Sequence, residues 1–227
     1  MWGLWRSFLV GHGYIAVIEL VRPSPSIYKI AARRSSRSPD VNEKAILMER
    51  FPVYTLDSAP EASKSALRDV QARFGMIPNL AGAMATSPVL IQAFIGIFDK
   101  VHGGSFTEPQ IQTVLLTDAV TNACTWAVAL HTALGLQAGL DPADVEAMRA
   151  GRSPLDEKLG ALSTVARTLI EKRGRLDDQD IESFLAAGLG KELLLEVITI
   201  VAASTITNYT GSVTNPPLEA ALQAHAW

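Results

Sequence analysis

Cys124 and His131 are the side chains in this sequence whose types and spacing suggest chemistry, a thiol and an imidazole seven residues apart. On an ideal helix that spacing covers almost two turns and sets both groups on one stripe, with Ala127 between them. A thiolate at Cys124 could act as a nucleophile, and an imidazole at His131 could move a proton. The rise of about 1.5 Å per residue separates them by about 10.5 Å along the axis, too far for a direct hydrogen bond. If the chain breaks at Asn122, Cys124 falls in the first turn of its helix, where the dipole favours an anion. Thr117 extends the stripe if the two helices are continuous. The plain alternatives are a cysteine that fills core and a neutral buried histidine. His12 and His102 lie in or beside loops without acid or cysteine neighbours, and His225 sits near the carboxyl end. There is no Gly-rich phosphate loop, nucleophile elbow or HExxH pair, so neither a metal nor a cofactor is expected.

The elements that must position these residues read as helices from Ala59 onward, with no sustained alternation of apolar and polar residues, and the expected class is all-α. Ser58 and Pro60 open a helix over 60–74 that Gly75 closes. Pro78-Asn79 starts a short helix, and Ser87-Pro88 opens another that stops at Gly103-Gly104. Thr107 and Gln110 have capping-box spacing, so a helix begins there and carries Gln112 toward Asn122. Residues 124–136, 142–150, 156–173, 177–187 and 191–207 follow as helices. The last is apolar almost all round and is expected at the centre. Asn215-Pro216-Pro217 breaks the chain before a closing helix.

Composition fits a globular chain, with 48% hydrophobic residues and a net charge of −3 over 227 residues. Residues 1–39 carry six bases against one acid, Glu19, which leaves an acidic body without an electrostatic footprint for nucleic acid. A single cysteine excludes an internal disulfide and fits a reducing compartment, the cytoplasm. The apolar run 193–206 is interrupted by Glu196 and is shorter than the roughly 20 residues a bilayer requires, so no membrane span is expected. Residues 1–48 read as an N-terminal extension, a flexible tail or an over-extended start, and 49–227 as one domain. Asn208-Tyr209-Thr210 matches a glycosylation sequon and reads as accidental.

The run Asn122, Cys124, Trp126, Ala127, His131, Thr132 resembles the signature helix of the carboxymuconolactone decarboxylase superfamily, in its alkyl hydroperoxidase D-like branch. The likeness includes Phe74-Gly75-Met76-Ile77-Pro78-Asn79-Leu80 upstream and Thr207-Asn208-Tyr209 downstream. It implies a helical bundle, assembly as a homo-oligomer, and catalysis by a CxxC pair with a glutamate and a histidine as proton relay. Carried onto this chain, the first cysteine is Cys124 and the histidine is His131. The second cysteine falls on Ala127 and the glutamate on Gln112, with Glu108 one turn earlier. The resemblance therefore implies a peroxide-reducing antioxidant protein working through Cys124, with an external thiol as resolver. His131 would relay the proton, and Gln112, Trp126 and Asn122 would form the pocket or relay. Two rivals are a lactone decarboxylase-like lyase in which His131 is acid or base, and a helical oligomer without chemistry.

Overall fold

Prolines and capping side chains set most of the helix starts in the computed structural model, which describes residues 51–227; the expected extension over 1–48 lies outside the described residues. Helix α1 spans Glu61–Phe74 and ends at Gly75, whose φ of 71° is the left-handed geometry that favours glycine. Its start is Pro60 without a side-chain cap, because the Ser58 hydroxyl is engaged with Thr55 in the preceding turn. The short α2, Asn79–Met84, follows Pro78. Ser87 then caps α3, Pro88–His102, by accepting from the Leu90 amide. Helix α4, Glu108–Thr121, opens as its capping-box spacing predicts, with the Thr107 amide donating to Gln110 Oε1. The remaining helices are α5 Thr125–Gln137, α6 Pro142–Arg149, α7 Glu157–Glu171, α8 Asp178–Ala186 and α9 Lys191–Thr214, followed by a short 3-10 helix over Ala220–His225. Among the described residues there is no strand, so the all-α class holds.

The central helix is α4 rather than α9. Every residue from Ile111 to Ala119 is buried, because α5 and α7 cover two of its sides and α9 packs on a third. One hydrophobic cluster lies on its α1, α2, α3 and α5 side, and the other joins it to α7, α8 and α9. Helix α9 keeps an open side: Leu195 is 67% exposed and Tyr209 60%. It also runs seven residues past Thr207, to Thr214. That extra length is polar but self-sufficient, since Thr210 and Thr214 return their hydroxyls to the carbonyls of Ile206 and Thr210. At 24 residues and a mean hydropathy of 1.4, α9 is long and apolar enough to cross a membrane by length and composition. Here it packs instead against α4, α3, α2, α7 and α5. The closing helix of the sequence reading is only the 3-10 turn, because Pro216 and Pro217 leave too little chain for a regular one.

Candidate functional site

His131 projects from the second turn of α5 and Gln112 from the second turn of α4, and tight packing of these two helices brings them together. His131 Nδ1 lies 2.9 Å from Gln112 Oε1. The Gln112 amide nitrogen donates to Glu108 Oε1 at 2.6 Å, across the four-residue spacing that places both on one face of α4. Glu108 Oε2 in turn lies 3.1 Å from His102 Nδ1, at the end of α3. His102, Glu108, Gln112 and His131 thus form one polar chain running from the half-exposed rim to a histidine that is 7% exposed.

This chain fixes the proton on His131. A carboxylate only accepts, so Gln112 must turn its NH2 toward Glu108 and its carbonyl toward His131. Facing a carbonyl oxygen, Nδ1 carries the hydrogen and donates it. Nε2 is left as a bare acceptor, without a partner among the described residues. Burial pushes the His131 pKa down to about 3, helped by the nearby His102 charge, so the ring is neutral at physiological pH.

His131 lines a cavity of about 240 Å3 between α1, α2, α3, α4, α5 and α9. Its walls are mostly apolar, with Phe74, Phe94, Phe98, Trp126, Leu130 and Met84 among them. Gln112 and Trp126 both line it; Cys124 and Asn122 are not among its lining residues. Sequence reasoning missed His102, and the structure corrects its description as a loop histidine without acid neighbours. The signal was a histidine and a glutamate flanking the Gly103-Gly104 turn just ahead of a capping box. It also missed Glu219, for which no local signal exists. Glu219 Oε2 accepts from Trp126 Nε1 at 2.9 Å, and Oε1 accepts from the Asn79 amide at 2.6 Å. One carboxylate after the proline break thereby holds the start of α2 and the aromatic wall of α5.

Cys124 occupies a different environment. The chain leaves α4 at Asn122, passes Ala123 in the left-handed region at φ 52°, and reaches Cys124 in extended geometry as the residue preceding α5. The seven-residue stripe applies only within one helix, so neither Cys124 with His131 nor Thr117 with Cys124 forms it. The thiol is 2% exposed and packed on α9, where a Cβ at Gly211 would lie 2.7 Å from its sulfur. Burial pushes the Cys124 pKa up; the Ala127 amide, the Ser212 hydroxyl and the Trp126 amide oppose this without overcoming it. Asn122 is the half-buried cap of α4.

A further titratable group lies wholly inside the fold. Asp118 has both carboxyl oxygens without a hydrogen-bond partner among the described residues, as does Asn208 Oδ1. Asn208 donates its amide to Ser204 Oγ at 2.9 Å. Burial drives the Asp118 carboxyl well above its usual range, and the neighbouring Ser204 hydroxyl opposes this. Among the described residues no three His, Cys, Asp or Glu side chains converge as a metal site.

No family model and no curated protein matches the sequence. Solved structures do match its fold. The core of an uncharacterized peroxidase-related protein from Ralstonia eutropha JMP134, described as an alkylhydroperoxidase AhpD core, superposes with a TM-score of 0.67 at 17% identity, over 76% of this chain and 93% of that one. The debrominase Bmp8 gives 0.66 at 17% identity, over 78% and 96%. An uncharacterized peroxidase-related protein from Silicibacter sp. TM1040 gives 0.64 at 19%, over 78% and 93%. A debrominase beside peroxidase-related proteins shows that one scaffold carries more than one activity. Residues 51–227 of this chain have the alkyl hydroperoxidase D-like, all-helical fold.

Proposed function

We propose that the protein is an acid–base enzyme that moves a proton at His131 on a small, mostly apolar molecule held in the cavity. The observation that carries this reading is the fixed tautomer: His131 lines the cavity, donates from Nδ1 to Gln112, and keeps Nε2 bare. Burial keeps the ring neutral and Nε2 free of a proton, although the same burial lowers its basicity. When the proton leaves an atom bonded to Nε2, the negative charge stays beside the imidazolium it creates, and that attraction offsets the burial which otherwise disfavours the charged ring. Decarboxylation fits less well than proton transfer, because among the described residues no lysine or arginine lines the cavity to hold a carboxylate.

A second reading, reduction of small peroxides by Cys124 with an external thiol as resolver, draws on one observation. Cys124 precedes the first turn of α5 with the Ala127 and Trp126 amides beside its sulfur, an arrangement that favours a thiolate. Against it stand the burial of that sulfur and its absence from the cavity lining.

The two readings separate in one experiment. Exchange of the carbon-bound α-protons of 2-hydroxyacetophenone, a neutral ring compound with a hydroxyl group, in deuterated water, followed by proton NMR, reports proton transfer. Consumption of cumene hydroperoxide with dithiothreitol reports thiol chemistry. The expected result is catalysed exchange in the wild type and in Cys124→Ser, lowered at least about 100-fold in His131→Gln. Hydroperoxide consumption that needs Cys124 and tolerates His131→Gln, with no catalysed exchange, contradicts the proposal.

A further inference from the structure

We infer that the cavity takes a neutral ring compound that brings its own hydrogen-bond donor, an O–H or N–H directed at His131 Nε2. The inference rests on the reading of His131 as the group that works on the ligand, and it names the class of that ligand.

It follows from the polar groups on the cavity wall, most of which already have a partner; at the rim, His102 uses Nδ1 for Glu108 and its Nε2 has none among the described residues. Trp126 Nε1 donates to Glu219. The Gln112 amide donates to Glu108, and His131 Nδ1 to Gln112. Thr207 Oγ1 returns its hydrogen to the Ser204 carbonyl at 2.9 Å. The Glu108 oxygens each take one partner, Oε1 the Gln112 amide and Oε2 the His102 ring. At the enclosed end, His131 Nε2 is the ring nitrogen that has no partner among the described residues. A ligand that only accepts would leave it unpaired and set its own oxygen against it, whereas a donor satisfies it.

Charge narrows the class further. An anion meets the Glu108 carboxylate at the polar end and finds no lysine or arginine among the lining residues. An ammonium group must bring a charge and three hydrogens into a mostly apolar cavity, where the Glu108 charge is already shared between Gln112 and His102. Shape supplies the ring. Phe74, Phe94, Phe98 and Trp126 bring aromatic rings to the wall. A cavity of roughly 150 Å3 is enough for benzene, so about 240 Å3 suits one ring with small substituents.

The test uses the full chain and a set of ligands of one shape: 4-ethylphenol, 4-ethyltoluene, 4-ethylbenzoate and 4-ethylbenzylamine, with indole against indene as a second isosteric pair. Binding is measured by titration calorimetry. The 15N signals of histidine-labelled protein are recorded in parallel, with His131 assigned from its absence in His131→Gln. The expected result is that 4-ethylphenol and indole bind at least about tenfold tighter than 4-ethyltoluene and indene, although the hydrocarbons are the more apolar members. The His131 Nε2 signal should move when the phenol is added. Equal or tighter binding of the hydrocarbons, preference for the benzoate or the benzylamine, or no saturable binding by any of them overturns the inference. A ligand-free spectrum with the proton on Nε2 overturns the reading of His131 as well; a bare Nε2 with no preference for donors overturns only the ligand class.

Discussion

At its N-terminus α5 sets Cys124 against a closed wall of α9, and two turns later it presents His131 to an open cavity. Both groups are buried, and burial moves each pKa toward its neutral form, up for the thiol and down for the imidazole. The consequences differ because of what each faces. A neutral thiol pressed on Gly211 has lost its nucleophile and its access. A neutral imidazole facing a cavity has gained a free lone pair. Burial of a reactive side chain therefore carries no functional meaning until the partner on its far side is known.

The largest effect that could break this contrast is in thiol reactivity. Cys124 should react with a thiol-specific reagent at least about 1000-fold more slowly in the native protein than in urea, because access requires the contact between α5 and α9 to open. Native labelling near the unfolded rate would place the sulfur at a surface. Next, Gly211→Val should destabilise by about 3 kcal/mol in urea denaturation, since its side chain lands on the Cys124 sulfur. Adding Cys124→Ala should recover more than half of that loss; an additive double variant would mean the two positions do not touch. On the cavity side, Glu219→Ala should cost about 2 kcal/mol through two charge-assisted hydrogen bonds. It should also change the fluorescence of Trp126 in a background carrying Trp2→Phe, Trp5→Phe and Trp227→Phe, while Glu219→Gln retains at least half of the lost stability.

Asp118 supplies the smallest and most pH-specific effect. Its folded pKa lies above the unfolded one, so the native state binds the extra proton and loses stability as pH rises above the usual carboxylate range. Asp118→Asn should therefore raise stability by about 1 kcal/mol at about pH 8 and have little effect at about pH 4. A stabilisation independent of pH would assign the effect to packing rather than to the proton.

Much of the fold was legible because it is written locally. Capping residues marked α3 and α4, and glycine marked the end of α1. The break at Asn122 was legible only as an alternative, since nothing in the sequence signals the left-handed Ala123. That single residue removes Cys124 from the helical stripe on which the spacing argument depended. His131 and Gln112 were found through a motif, but their hydrogen bond joins residues 19 apart and depends on how α4 and α5 pack. The link from Trp126 to Glu219 spans 93 residues and has no periodicity to reveal it. Helix α9 misled in the opposite direction. Apolarity on all sides suggested the centre, yet the centre went to α4, whose buried polar residues Gln112, Thr117 and Asp118 make it look less like core than it is.

The most direct test of the central claim is a pH titration of the His131 ring nitrogens by 15N NMR in the ligand-free protein. The account predicts a directly bonded proton on Nδ1, none on Nε2, and no protonation of the ring at about pH 5, where an ordinary histidine is charged. A proton on Nε2, or a titration near the usual value of 6.5, would contradict it.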